Sequence, residues 1–145
     1  MSKKINKSIP PSANTSISEA KKSAERRVTE LFNFSLKYLD HQHEKFNYTR
    51  HDAVYFCEVL NRLKNLCSLT KQEILSNRSS ALRVHPIDWN DTSVKEGFNF
   101  PNHEQIIDVP YQFAVSSNEY GRIHGFFIYN TFYIVWLDKE HKLYL

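Results

Sequence analysis

The sequence predicts an α+β protein in which an N-terminal helical hairpin packs on a small, mainly antiparallel C-terminal β-sheet. Two observations support this fold class. Apolar residues recur at helical spacing up to about residue 77, whereas the last 35 residues hold three short runs rich in aromatic and β-branched residues. The chain has 145 residues, enough for one ordinary domain, and its 10 Phe, 8 Tyr and 2 Trp exclude a wholly disordered protein.

Residues 1–15 are polar and are predicted to form a flexible basic leader, followed by a single domain over residues 16–145. Ser16 and Glu19 form a capping-box pattern, which predicts the start of a helix. The helix is expected to continue to about Asp40, because apolar residues keep helical spacing that far. These residues are Val28, Leu31, Phe32 and Leu39.

Thr49 and Asp52 mark the start of a second helix, which has the clearest periodicity in the chain. One face of this helix collects its apolar residues and is expected to be buried: Ala53, Phe56, Cys57, Leu60, Leu63 and Cys67. Thr70 and Glu73 repeat the capping pattern and predict a short third helix. The helices occupy about residues 16–77, and the first two are predicted to pair as an antiparallel hairpin.

The sheet is predicted over about residues 82–137. Residues 82–85 have the pattern of a short strand that stops at Pro86, and residues 102–107 have that of a single helical turn. Three further strands are expected, with residues 129–130 as a two-residue hairpin loop between the last two. They cover residues 111–116, 122–128 and 131–137.

A two-residue loop fixes the pairing of the last two strands, so that Arg122 lies opposite Leu137. One predicted face then carries only apolar side chains, including Trp136, and is expected to pack under the helices. The other face carries Arg122, His124 and Tyr133 among apolar residues. An alternative interpretation of this mixed face is an ordinary half-exposed sheet surface whose polar residues meet water.

The positive charge of the chain is concentrated towards its N-terminus. Residues 1–30 contain seven Lys or Arg and three Glu, whereas residues 31–145 contain twelve basic and thirteen acidic residues. Such a basic segment binds nucleic acid or an anionic surface, or it acts only as a solubilising leader. The absence of a secretory signal, of an apolar run of bilayer length and of a CxxC pattern predicts a cytoplasmic protein without a membrane partner.

Basic and aromatic residues at the end of the predicted sheet form the main candidate catalytic site. Arg122 supplies a planar cation that suits phosphate. His124 and His141 can transfer a proton near neutral pH. Tyr133 and Tyr144 can stack on a base or donate a hydroxyl group. This combination of residue types suits phosphodiester cleavage or RNA binding.

Further substrate-binding residues are predicted next to this site. Arg83 and His85 lie beside Pro86 and are expected to complete the site at the sheet edge. The alternative is that this segment is a connector, which Trp89 holds in the core. Lys142, in the tail after the last strand, adds a further cation for the substrate.

No metal or other cofactor is predicted. His41 and His43 stand two residues apart, and on a helix two such positions point about 200° apart, so they are not expected to share an ion. The sequence contains no Walker loop, no Rossmann glycine pattern and no HExxH motif, which argues against nucleotide-dependent and zinc-protease functions.

The C-terminal segments 111–115, 121–126 and 132–144 resemble the RelE/YoeB group of toxin ribonucleases. The common pattern is a strand, a turn, an arginine-bearing strand, a hairpin, a strand and a short basic-aromatic tail, all beside a helical hairpin. The run His-Lys-Leu-Tyr at residues 141–144 is similar to the His-Arg-Leu-Val-Tyr ending of YoeB-like members.

This resemblance implies cleavage of ribosome-bound mRNA by attack of a ribose 2′-hydroxyl on the adjacent phosphate. It gives Arg122 the role of stabilising phosphate charge in the transition state. His141 would be the acid or base, and Tyr144 would position or stack the base. His124 has no clear counterpart in the family and is an auxiliary candidate.

The sequence therefore supports two functional hypotheses. The first is a small cytoplasmic RNA-acting protein, a metal-independent toxin-type endoribonuclease, with RNA or the ribosome and a protein antitoxin as partners. The second is a non-catalytic macromolecular interaction module of phage or mobile-element type. The small number of basic groups near the site favours the second, because a ribonuclease needs several cations to hold phosphates.

Overall fold

The computed structural model describes residues 13–28 and 30–144. The chain divides into two units at the junction of Leu31 and Phe32. Helix α1 (Ala13–Val28) belongs to the first unit, and the second unit contains the sheet and the other helices. Within the described ranges, no helix combines the length and the apolar character needed to span a bilayer.

Helix α1 begins earlier than the sequence predicts. Its first residue is Ala13, so Ser16 lies inside the helix and not at its cap. Residues 1–12 of the predicted leader lie outside the described residues. The predicted pairing of the first two helices as a hairpin stays a prediction.

The expected continuation of the first helix to Asp40 is wrong, because residues Asn33–Ser35 form a strand, β1. The preceding residue, Phe32, is buried, and its N–H donates to the carbonyl of Leu69 at 2.7 Å. The backbone here is therefore satisfied by partners far away in the sequence and not by helical hydrogen bonds.

Both predicted starts of the later helices are confirmed. Asp52 caps the second helix by accepting the N–H of Tyr55 at 3.0 Å, and Thr70 with Glu73 forms the capping box of the third. The elements of the second unit are β1, α2 (Ala53–Leu66), α3 (Lys71–Leu75), β2 (His85–Pro86), a 3-10 turn (Trp89–Asp91), α4 (His103–Ile106), β3 (Pro110–Ala114), β4 (Arg122–Ile128) and β5 (Thr131–Asp138).

The strands form one five-stranded sheet in the order β1-β5-β4-β3-β2. Strand β1 runs parallel to β5, whereas the other neighbouring strands are antiparallel. The α+β class is thus confirmed, but the sheet is mixed, because β1 adds a parallel edge that the helical interpretation of this segment excluded.

The hairpin of β4 and β5 departs from the predicted register at a β-bulge. The predicted pairs hold from Ile128 opposite Thr131 to Gly125 opposite Ile134, but His124 then lies opposite Trp136. A side chain at Gly125 would collide with the backbone carbonyl of Tyr133, so the strands approach closely where the register shifts.

The bulge exchanges the faces of the residues beyond it. Trp136 lies on the face that carries His124, and Leu137 lies on the face that carries Ile123, so the predicted positions of both are wrong. Arg122 lies opposite Asp138 and not opposite Leu137.

Both faces of the sheet are covered, so the alternative interpretation of the second face as half-exposed is wrong. One face packs against buried residues of α2 and α3. The other packs against loop segments that contribute Phe46, Ile87, Val94, Phe98 and Leu143. His124, Gln112 and Asp138 are consequently buried polar residues.

The buried face of α2 is displaced from the predicted one. Buried positions are Tyr55, Val59, Leu63 and Leu66, whereas Cys57 is exposed and Leu60 is 60% exposed. The helix contains two overlapping apolar stripes, and contact with the sheet selects one of them.

Arg62 lies beside the buried face of α2 and joins this helix to the end of β3. Its Nε donates to the carbonyls of Ala114 and Val115 at 2.8 and 3.0 Å, and its Nη2 donates to that of Ala81 at 2.6 Å. Burial lowers the pKa of this guanidinium. One cation thus satisfies three carbonyls where two loops meet the sheet.

We expect Arg62→Met to lower the free energy of unfolding by about 2–3 kcal/mol, because three carbonyls lose a charge-assisted donor. Urea denaturation measures the change. The control is Lys64→Met in the same helix, where Lys64 is exposed and a change within about 0.5 kcal/mol is expected. Equal losses in the two variants would contradict this role for Arg62.

Candidate functional site

The candidate site lies where β4 begins and β5 ends. Arg122 opens β4 and lies between Ala114, the last residue of β3, and Asp138, the last residue of β5. Arg83 comes two residues before His85, the first residue of β2, which pairs with β3. The topology therefore gathers the ends of neighbouring strands and their polar side chains at one place.

Two arginines, Arg83 and Arg122, and a histidine that is neutral at pH 7, His141, form what we call the cationic cluster at this end of the sheet. Partial burial and then the positive charges of Arg122 and Arg83 lower the pKa of His141. Burial and then the charge of Arg83 lower the pKa of Arg122. In the described part of the chain, none of the three side chains forms a salt bridge. The carboxylate of Asp138 acts in the opposite direction and raises the pKa of both Arg122 and His141. The two arginines give this end of the sheet a positive charge that favours the binding of an anion.

The backbone at two of these residues is unusual. Arg83 and His141 adopt φ angles of 50° and 59°, in the left-handed region that residues other than glycine rarely occupy. Three further residues among those described, Asn102, Tyr120 and Tyr129, share this conformation, so it does not by itself mark a functional residue. Arg122 is half-buried, and its Nε finds no hydrogen-bond partner among the described residues.

An aromatic pair lies next to the cationic cluster. The rings of His85 and Tyr144 meet edge to face, with centroids 5.8 Å apart, and the hydroxyl of Tyr144 accepts the N–H of Asp88 at 3.2 Å. The imidazole Nδ1 of His85 donates to the carbonyl of Pro86 at 2.8 Å, and its Nε2 accepts from Gln112 at 2.7 Å. These two bonds hold the imidazole in place and leave an ordered aromatic surface that suits stacking.

His124 is fully buried and contacts the carboxylate of Asp138. Its Nε2 donates to Oδ2 of Asp138 at 3.0 Å. Burial lowers the pKa of His124, so the ring is neutral at pH 7. Burial tends to raise the pKa of Asp138, but hydrogen bonds from His124, Lys142 and Leu143 outweigh it and hold this pKa below its usual value. The auxiliary catalytic role of His124 stays a prediction.

Tyr133 and Lys142 lie outside the cluster. Tyr133 stacks on Phe126 with centroids 5.4 Å apart and also contacts Tyr38, in the part of the second core nearer the hairpin loop. The ammonium of Lys142 lies 3.4 Å from a carboxylate oxygen of Glu140 on the exposed surface. Of the six other predicted residues, five fall into two groups, Arg83 with Arg122 and His141, and His85 with Tyr144. The sixth, His124, is buried against Asp138.

Sequence reasoning missed two buried polar residues of this region, Gln112 and Asp138. Gln112 interrupts the apolar run of β3 and binds His85, and Asp138 follows directly after the apolar run of β5. A polar residue at such a position is a usable signal, because a buried polar side chain needs a partner.

An apolar groove of about 210 Å³ lies on the opposite side of the sheet from the second core, between β1, the following loop and α2. Its rim is exposed: Leu36 is 56% and Leu60 is 60% accessible. The lining residues are Phe34, Leu36, Leu39, Tyr48, Phe56, Val59, Leu60, Leu63, Ile134 and Leu137.

The geometry therefore offers two surfaces of different chemistry, the cationic cluster with its aromatic pair and the apolar groove. Comparison of the chain with protein-family models, with curated proteins and with solved structures found no match.

Proposed function

We propose that the protein acts on RNA at the cationic cluster, as a metal-independent toxin-type endoribonuclease. The observation that carries this proposal is geometric: Arg122 pairs with the ends of β3 and β5, Arg83 lies just before β2, and His141 follows β5 by three residues. None of the three has a salt-bridge partner among the described residues. The resemblance of the C-terminal strands to the RelE/YoeB group supports the same chemistry.

The proposed reaction is attack of a ribose 2′-hydroxyl on the adjacent phosphate. The bond between O2′ and phosphorus forms and the bond to O5′ breaks. The departing 5′-oxygen takes a proton from water, so a cyclic phosphate and a 5′-hydroxyl result. The lowered pKa of His141 keeps its imidazole neutral at pH 7, so that it can accept the 2′-hydroxyl proton. Arg122 stabilises the charge that develops on the phosphate oxygens.

The neighbouring residues can bind the nucleotides on either side of the cleaved phosphate. Arg83 is exposed and provides a second contact to phosphate. Tyr144 and His85 provide an ordered aromatic surface on which a base can stack.

We expect Arg83→Gln to weaken RNA binding and to reduce its salt dependence. Loss of one phosphate contact lowers the slope of log affinity against log salt by about 0.7 for a single strand. Fluorescence anisotropy with a labelled single-stranded RNA of twelve nucleotides measures both quantities. Arg78→Gln removes an exposed arginine outside the site and is the control. Equal slopes for the two variants would contradict the proposed site.

The second candidate function is a non-catalytic interaction module of phage or mobile-element type. The exposed apolar groove favours it, because such surfaces bind other proteins through apolar side chains. Another protein would be its ligand. Absence of RNA binding by the wild-type protein would favour this candidate.

A further inference from the structure

The carboxylate of Asp138 is the meeting point of three hydrogen-bond donors. Its Oδ1 accepts the backbone N–H of Lys142 at 2.7 Å, and its Oδ2 accepts that of Leu143 at 3.0 Å. The Nε2 of His124 donates to Oδ2 as well, at 3.0 Å. All of this occurs in a buried environment, where such charge-assisted bonds are strong.

These bonds fold the tail, residues 139–144, back against the sheet. Leu143 is fully buried in the second core, and its carbonyl accepts the N–H of Ser93 at 2.6 Å. Tyr144 pairs with Thr92 through an isolated antiparallel bridge. The two residues of the tail that the proposed reaction uses, His141 and Tyr144, flank the two amides that Asp138 binds.

We propose that Asp138 is the positioning residue of the site, because its carboxylate holds the tail so that His141 lies beside Arg122 and Tyr144 lies beside His85. The importance of this placement for RNA rests on the proposed function, whereas the holding of the tail stands on the contacts alone. His124 contributes to the same positioning, because its buried ring donates a hydrogen bond to the Asp138 carboxylate.

An asparagine at position 138 offers one acceptor oxygen where three donors converge, and it carries no charge. We therefore expect Asp138→Asn to release the tail. His141 would then move away from Arg122 and Arg83, and its pKa would rise towards the ordinary value of 6.5. Without release the pKa would fall further, because the Asp138 carboxylate is the group that raises it.

The two outcomes differ in sign, and NMR titration of the His141 ring measures them directly. The control is Glu140→Gln, which removes an exposed carboxylate from the same tail and should leave the pKa of His141 nearly unchanged. A rise in Asp138→Asn supports the proposal, and a fall overturns it. The readout needs no RNA and is therefore independent of the proposed function.

A parallel measurement addresses the link to RNA. We expect Asp138→Asn to weaken binding of the labelled single-stranded RNA about tenfold. If the tail is released but the RNA affinity is unchanged, Asp138 holds the tail and the tail has no role in RNA binding. Release of the tail in a protein whose wild type binds no RNA would overturn the proposed function alone.

The wild-type chain provides the test if Asp138→Asn does not fold. Amide hydrogen exchange should show protection of Lys142 and Leu143 at neutral pH. The lowered pKa of Asp138 means that these bonds persist above that pKa and are lost as the pH falls through it. Rapid exchange of both amides at neutral pH would overturn the proposal.

Discussion

Replacing Trp136 with alanine is expected to lower the free energy of unfolding by about 3–5 kcal/mol. The side chain is 1% exposed and is the largest in the second core. Its ring stacks on Phe46 with centroids 4.4 Å apart and meets the edge of Phe98 at 4.8 Å.

Urea denaturation of the wild type and of Trp136→Ala measures this change. Tyr129→Ala is the matched control, because Tyr129 lies in the hairpin loop, is 89% exposed and should cost less than about 0.5 kcal/mol. A loss below about 1 kcal/mol for Trp136→Ala would mean that the second core is not packed as described.

A double-mutant cycle tests the face on which Trp136 lies. Because Trp136 contacts Phe46, the two alanine substitutions should be non-additive by about 0.5–3 kcal/mol. Val59 belongs to the core on the other face, so its substitution should be additive with that of Trp136. Additivity of Trp136 with Phe46, together with non-additivity of Trp136 with Val59, would indicate that the hairpin has no bulge.

Arg122→Ala is expected to reduce RNA cleavage by about 10²–10³-fold, the effect of removing one donor to a developing charge. The fold should persist, because the observed bond of this side chain within the described residues is a local one, from Nη1 to the carbonyl of Gly121 at 3.2 Å. Cleavage is measured with a 5′-labelled single-stranded RNA and gel separation of the products.

Arg78→Ala is the control for the loss of a single arginine, and it should cleave like the wild type. Induced expression in a bacterial host gives a second readout, in which the wild type arrests growth and Arg122→Ala does not. Equal arrest by both proteins would point to toxicity through binding. Unfolding of Arg122→Ala would show that this arginine is structural, and the catalytic assignment would be wrong.

Local signals in the sequence were sufficient for much of the fold. The caps of α2 and α3 depend on hydrogen bonds within one turn, so Asp52 and Thr70 identify both starts. The three C-terminal strands depend on composition and on a short loop, which are also local. The segment after α1 was wrongly predicted to be helical. Strand β1 has only three residues and pairs with β5, so nothing in its local sequence indicates a strand.

The bulge marks a second limit of local reasoning. Counting outward from a two-residue loop is valid only while each residue has one partner, and the count fails after Gly125. A glycine inside a strand is a recognised sign of a bulge, but it does not say on which strand the extra residue lies. The faces of Trp136 and Leu137 could not be predicted for that reason.

The sequence predicts the residue types of the candidate site but not the contacts that hold them in place. Arg122, His141 and Tyr144 follow from chemistry near a strand end, and Arg83 joins them because β2 lies at the edge beside β3. Asp138 escaped notice because its partners are backbone amides, which no pattern of residue types reveals. The separation of Tyr133 from the cluster follows from its stacking on Phe126 and Tyr38.

The parallel pairing of β1 with β5 has a consequence for the synthesis of the chain. Asn33 and Thr131, which face each other across this edge, are 98 residues apart. At a rate of roughly 5–20 residues per second, Phe32 and β1 emerge from the ribosome about 5–20 s before the strand that covers them. Slow closure of this long loop makes the edge a late step in folding. This segment is therefore open to chaperones and to aggregation while the chain is incomplete.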